Sequence, residues 1–212
     1  MDNPLKELHG KKKIDYIWTY YKPVVFGILL ALILLTCWIV WMVHPPAETV
    51  LTLMVVDSPV AEPNAEEAFP GFSETLLESS AEQIEIDVTM HFLGKSEQLI
   101  ATNLQVLTAR FLSGEIDLFA ADTETSLKFG DNGAFVNPEE YLTEEEQKVL
   151  EPWYVRNSTG IPIGISLDGS EKYLASGLSA EGTVLSMVIK CRHPEAAHNM
   201  VEYLFDLPYQ EE

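Results

Sequence analysis

Apolar and polar positions divide this chain into one long uninterrupted apolar run and a series of shorter periodic ones. Residues 24–43 contain no charged side chain. As a helix rising about 1.5 Å per residue, this run is roughly 30 Å long, the thickness of a bilayer's hydrocarbon core. A backbone in lipid has to satisfy its own hydrogen bonds, so the run predicts a membrane-spanning helix. Lys6, Lys11, Lys12, Lys13 and Lys22 precede it, and no Lys or Arg follows until Lys95. Basic residues stay cytoplasmic, which places the N-terminus inside and the chain from His44 onward outside. Tyr16, Trp18, Tyr20 and Tyr21 before the run, with Trp38 and Trp41 near its end, suit the two membrane–water interfaces. The run is too long for a cleaved signal peptide and leaves through Trp-Met-Val-His-Pro-Pro rather than small residues. Leu34-Leu35-Thr36-Cys37 has Thr where a lipoprotein signal wants a small residue, so Cys37 is read as an apolar residue in lipid.

The shorter runs predict an α/β domain. Val50, Leu51, Leu53, Met54, Val55 and Val56 are nearly continuous, as in a central strand covered on both faces. Residues 61–68 are acidic, hold Pro63 and read as a loop; Phe69, Phe72, Leu76 and Leu77 then recur at helical spacing. Ile84, Ile86, Val88 and Met90 alternate with Glu85, Asp87, Thr89 and His91, the period of a strand with one wet face, nearer a sheet edge. Leu99, Ile100, Leu104, Leu107 and Phe111 form a helical stripe that opens at Ser96 and closes at Gly114. Ile116 and residues 118–121 form a third strand, stopped at Asp122-Thr123. This β-α-β-α-β order predicts three layers, a mostly parallel sheet with helices on both faces. Beyond it, residues 123–129 allow one helical turn, and Thr143-Glu144-Glu145-Glu146 is a capping box. A polar stretch follows Pro152-Trp153-Tyr154 up to Gly160. Residues 161–167 and 183–189 are two more strands, with a short helix over 171–175 between them. Pro194 opens a last helix with Ala197, Met200, Val201, Leu204 and Phe205 on one face. The chain thus divides into a basic cytoplasmic segment 1–23, a span 24–43, a linker 44–48, an outer domain 49–207 and a tail 208–212.

Three passages resemble bacterial extracellular solute-binding proteins, the ligand-capturing subunits of ABC importers. They are Phe111-Leu-Ser-Gly-Glu-Ile-Asp-Leu-Phe-Ala-Ala-Asp122, Phe135-Val-Asn-Pro-Glu-Glu-Tyr-Leu142, and Thr183-Val-Leu-Ser-Met-Val-Ile-Lys with His193-Pro-Glu-Ala-Ala-His-Asn-Met-Val-Glu-Tyr-Leu204. The resemblance implies one lobe of such a receptor fused to a transmembrane helix. Family members close two lobes on a ligand; here only about ten residues separate Glu151 from Ile161, too few to hold a second domain.

Charge narrows the partners. Eight basic and thirty acidic residues follow Val43, a formal charge of −22. Nucleic acid and anionic lipid headgroups need the opposite balance and are excluded as partners. The bilayer itself is a partner through residues 24–43; an envelope protein partner and a small solute both remain open. Cys37 and Cys191 lie in different segments and predict no disulfide. An anchored outer domain without disulfides fits a bacterial cell surface.

No phosphate loop, dinucleotide fingerprint or cysteine pair predicts a cofactor. Gly164-Ile-Ser166-Leu-Asp168 lacks the final glycine of a nucleophile elbow, so no catalytic residue is assigned and the domain is expected to be non-catalytic. His193 reads as a helix cap, His91 and His198 as surface positions. Glu144-Glu145-Glu146 serves a helix N-terminus, ahead of a metal site, and no metal ligand is assigned. In open α/β sheets ligands meet the carboxyl ends of strands. That rule singles out Asp57 and Ser58 after the first strand and Asp122 and Thr123 after the third. Trp153 and Tyr154 are aromatic residues suited to stacking on a sugar or peptide from the rim. These six are the predicted ligand-binding residues. The leading expectation is a non-catalytic binding or accessory protein associated with an ABC transporter or another envelope partner; a stand-alone sugar or peptide receptor and a surface hydrolase are the alternatives.

Overall fold

A computed structural model describes residues 11–43, 48–72, 82–89, 97–179 and 181–207. It divides into two units, Met1–Pro46 and Ala47–Glu212.

Among the described residues of the first unit one helix, α1 (Lys11–Val43), takes in Lys11, Lys12 and Lys13 and passes through Pro23. The helix therefore begins well before the apolar run, inside the segment read as a basic lead. Within it, Lys22–Val40 is 19 residues long with a mean hydropathy of 2.7, long and apolar enough to cross a membrane. Its Leu, Ile, Val and Phe side chains are about half exposed on every side, so no protein core covers them. The Thr36 hydroxyl donates to the Leu32 carbonyl at 2.8 Å, which satisfies this polar group without water.

The second unit is built on six strands: β1 (Glu48–Val56), β2 (Glu82–Thr89), β3 (Leu118–Asp122), β4 (Tyr154–Arg156), β5 (Pro162–Ser166) and β6 (Thr183–Met187). They lie in the order β2-β1-β3-β6-β5-β4. The run expected to be central is central, and the alternating run forms the edge. β1 pairs in parallel with β2 and β3. The three remaining pairings, β3–β6, β6–β5 and β5–β4, are antiparallel. The sheet is mixed, which corrects the mostly parallel expectation, and the shortness of the helix within the β5–β6 connection is the reason. A parallel return has to carry the chain back along the full length of a strand. Between β5 and β6 the helix α6 (Glu171–Ser176) has six residues, about 9 Å of rise, against about 17 Å for a five-residue strand. The chain re-enters the sheet at the end it left, with Ser166 opposite Val184.

β4 is a strand the polar reading missed. It forms a hairpin with β5, Tyr154 opposite Ile165, closed by a turn in which Asn157 Oδ1 accepts from the Thr159 and Ile161 N–H groups. Two other elements differ from expectation. Residues 65–68 are not loop but a one-turn helix, α2 (Ala65–Ala68), because the Asn64 side chain caps it by accepting from Glu66 and Glu67 N–H. The single turn expected after β3 is a two-turn helix, α4 (Thr123–Gly130), capped by Asp122. The expected helical stretch after Phe72, with Leu76 and Leu77, lies outside the described residues, as do Met90 and His91.

Alternation in the central strands feeds two cores. Leu51, Leu53, Val55, Leu118 and Ala120 face one side, where α2, α6 and helix α7 (Pro194–Phe205) cover them with Phe69, Tyr173, Ala197, Met200, Val201 and Leu204. Met54, Val56, Phe119 and Ala121 face the other, under α4 and helix α3 (Glu97–Ser113). There Phe111, Phe119, Phe129 and Phe135 form one aromatic cluster with ring centres 5.1–5.9 Å apart, each pair worth about 0.5–1.5 kcal/mol beyond its buried area. Helices on both faces give the three layers of an α/β domain. Gly114 ends α3 with φ of 68°, and a Cβ there would sit 2.8 Å from the Lys190 carbonyl oxygen.

Candidate functional site

The strand-end residues singled out from sequence lie at one end of the sheet, but they do not form one cavity. Asp57 and Ser58 end β1, and Asp122 ends the adjacent β3, about 4.8 Å away across the ladder. Trp153 and Tyr154 belong to the far edge, three strand spacings from β3 and about 14 Å distant by the same rule. Each predicted residue also has a local structural role. Asp57 adopts a left-handed φ of 55° in the turn after β1. Ser58 is buried, and its Oγ accepts from the Val60 N–H at 3.1 Å. Asp122 caps α4 by accepting from the Thr125 N–H and hydroxyl. The Thr123 hydroxyl donates to the Gly182 carbonyl. Trp153 lies flat enough on Gly169 that a Cβ there would meet the indole ring. Tyr154 Oη is buried without a hydrogen-bond partner.

Among the described residues, a concavity with the chemistry of a binding site lies elsewhere. A groove of about 600 Å³ runs along the second half of α3 and is lined by Leu104, Thr108, Phe111, Leu112, Phe129 and Ile189, with Lys128 and Asn132 among its polar members. The turn after α4 lines it with Asn132 and the small residues Gly133 and Ala134. Leu112 and Ile189 remain more than half exposed there, although the Phe111 and Phe129 rings behind them are buried. Such a volume lies within the range of small-ligand pockets, which are mostly apolar with a few polar groups. Sequence reasoning placed Leu104 and Phe111 on a core stripe and had no signal for a groove, because groove and core share the same apolar periodicity. A second, polar cavity of about 360 Å³ is lined by Glu139, Glu144, Gln147, Lys148, Glu151 and Tyr154. Tyr154 is the one predicted residue that lines either cavity.

Two buried polar clusters also escaped the sequence reading. In the first, Asp117 precedes β3 and is almost fully buried. Its Oδ2 accepts from the Thr52 N–H at 2.9 Å and meets His193 Nδ1 at 3.0 Å. Its Oδ1 accepts from the Arg192 and His193 N–H groups at 2.8 and 3.1 Å. Burial alone would raise the Asp117 pKa, but the His193 side chain and these backbone donors outweigh it and hold it below the usual carboxylate range. The cluster ties β1, β3 and the entry to α7 together. His193 occupies the cap position of α7 but its side chain makes no cap bond there; it holds Asp117 instead. Cys191 beside it is pushed up to about 12 by burial and by the Asp117 charge, so it is a poor nucleophile.

The second cluster joins helix α5 (Glu144–Leu150) to α7. Glu144 and Glu145 are exposed as a solvated helix start should be, but Glu146 turns inward and is buried. It closes the expected capping box with Thr143 and meets His198 Nε2 with both carboxylate oxygens, at 3.0 and 3.1 Å. His198 is therefore not a surface residue but a half-buried partner of Glu146. Glu202 lies one helical turn beyond His198 and is also buried. Burial raises Glu146, yet the Thr143 donors and His198 bring it below the usual range. Burial together with the neighbouring Glu146 raises Glu202, against the pull of His198. Sequence alone gave no reason to bring Glu146 to residues more than fifty positions away.

No family model matches this chain, and no curated protein does. Among solved structures, an extracellular solute-binding protein family 1 from Alicyclobacillus acidocaldarius subsp. acidocaldarius DSM 446 superposes with a TM-score of 0.34 at 17% identity. The match covers 57% of this chain and 28% of that chain. The α/β class of the second unit rests on its own sheet and its two helical layers.

Proposed function

We propose that this chain is a single-pass membrane protein that holds a non-catalytic, acidic α/β domain outside the cytoplasm, and that the domain binds a small solute through the apolar groove beside α3. The groove carries the reading: about 600 Å³ lined mainly by Leu104, Phe111, Leu112, Phe129 and Ile189 is open to solvent on an otherwise acidic domain. An open apolar concavity gains most from an apolar ligand, at about 25 cal/mol per Å² removed from water. The uncovered helix and the five lysines ahead of its apolar run support the anchor and its orientation.

The test is a thermal-shift screen of the full chain in lipid nanodiscs against small apolar, sugar and peptide compounds. A ligand at a hundred times its Kd stabilises by about 2.7 kcal/mol, roughly 5–11 °C for a domain of this size. The expected hit has an apolar body and loses its effect in Leu112→Asp, which puts a charge in the groove at a largely exposed position. A sugar hit insensitive to Leu112→Asp refutes the groove. A C-terminal tag protected from protease in intact cells refutes the orientation.

A further inference from the structure

The Glu146, His198 and Glu202 side chains place their ligand atoms within 4.8 Å of one another, a grouping of three residues of metal-binding type among the described residues. We propose that this cluster is a binding site for one divalent transition-metal ion of the zinc class, fastening α5 to α7.

Three features carry the inference beyond acidic composition. First, the donor set is mixed, one imidazole with two carboxylates; imidazole selects zinc-class ions over calcium and magnesium, which prefer all-oxygen shells. His198 and Glu202 stand four residues apart on one helix, so both reach the same point from α7, while Glu146 reaches it from α5. Second, the two carboxylates are nearly sealed from water, at 2% and 4% relative exposure, beside a half-buried imidazole. Adjacent buried carboxylates repel, and one has to take up a proton unless a cation stands between them. Third, Glu146 is held as a metal ligand is held. Its Oε2 accepts from the Thr143 N–H at 2.7 Å and from the Thr143 hydroxyl at 2.9 Å, which fixes the plane of the carboxylate. Its Oε1 meets His198 Nε2 at 3.0 Å. Two tetrahedral ligands with bonds of about 2.0–2.1 Å stand roughly 3.3 Å apart. An ion entering between Nε2 and Oε1 therefore opens that contact by only a few tenths of an ångström, and Oε2 keeps its bonds to Thr143. His198 is partly exposed, so water would supply the fourth ligand, as in zinc sites with three protein ligands.

The experiment uses the full chain in nanodiscs, stripped with a chelator and titrated with Zn²⁺ at pH 7, reading bound metal per chain and Tm. The expected result is one ion per chain bound at micromolar Zn²⁺, with a rise in Tm of several degrees, about 5–10 °C at saturation. His198→Ala and the near-isosteric Glu202→Gln each weaken binding tenfold or more, the size of a lost ligand contact. Cys191→Ser leaves binding unchanged, and Co²⁺ in place of Zn²⁺ gives a spectrum without a thiolate charge-transfer band. A wild-type chain whose Tm does not respond to Zn²⁺ overturns the proposal without any variant. So does binding that Glu202→Gln leaves intact, or binding lost in Cys191→Ser, which moves the ion to the Asp117 cluster or to the acidic surface.

Discussion

Replacing Asp117 by Asn changes one buried oxygen to an amino group and leaves the side-chain shape intact. The magnitude follows from what surrounds it. All five partners approach as donors: the Arg192 and His193 N–H groups and, at 3.4 Å, the Cys191 thiol at Oδ1, with the Thr52 N–H and His193 Nδ1 at Oδ2. An amide keeps one accepting oxygen, so it loses the two backbone bonds at Oδ1 in one orientation and the Thr52 N–H bond in the other, where the His193 ring can accept by changing tautomer; either way an N–H presses against at least one backbone N–H. A hydrogen bond to a charged group contributes about 1.5–3 kcal/mol, and breaking a buried charged network by one partner costs about 3–5 kcal/mol. For a domain of this size that is a fall in Tm of about 6–20 °C, read by near-ultraviolet circular dichroism of the full chain in micelles. The pH dependence has a definite sign. The folded pKa of Asp117 is depressed, so its contribution is present above the unfolded value near about 3.9 and is lost as pH falls through the folded one. The gap between wild type and Asp117→Asn is therefore expected to stay constant from neutral pH down to about 5 and to close below about 4. A variant melting within about 2 °C of wild type at pH 7, or a gap that persists into acid, would show that the carboxylate does not hold these elements together.

Two further substitutions test the sheet. Gly164→Ala is expected to destabilise by about 1–3 kcal/mol or more, because its Cβ falls on the Leu185 carbonyl oxygen and the Ser186 Oγ and 2.8 Å from Val184 Cγ1. Ser186→Gly in the same chain should restore only part of the loss, since the backbone carbonyl stays; full restoration in a urea titration would mean the strands shift freely. Tyr154→Phe is expected to be neutral or to raise Tm, because the hydroxyl it removes is buried without a partner, a burial that costs about 1–3 kcal/mol. The pKa of that phenol is pushed up to about 12 by burial, then by the negative charge of Glu139. A loss above about 1 kcal/mol would mean that the hydroxyl is bound.

Sequence alone determined whatever is set by neighbours a few positions apart. The uncharged run became a helix that no core covers, because its length and apolarity leave no alternative inside a small domain. Continuous apolarity in residues 50–56 made β1 central, and alternation made β2 the edge. Thr143 and Glu146 closed their capping box, since both partners lie within one turn. Tertiary structure decided what depends on distant pairing. A six-residue helix could not return the chain along a strand, and so β6 entered antiparallel between β3 and β5. The hairpin of β4 with β5 was hidden by its polar turn. The groove beside α3, the clamp on Asp117 and the meeting of Glu146 with His198 and Glu202 each join residues more than twenty positions apart. Periodicity states which face of an element turns inward. It carries no information on which other element that face will meet.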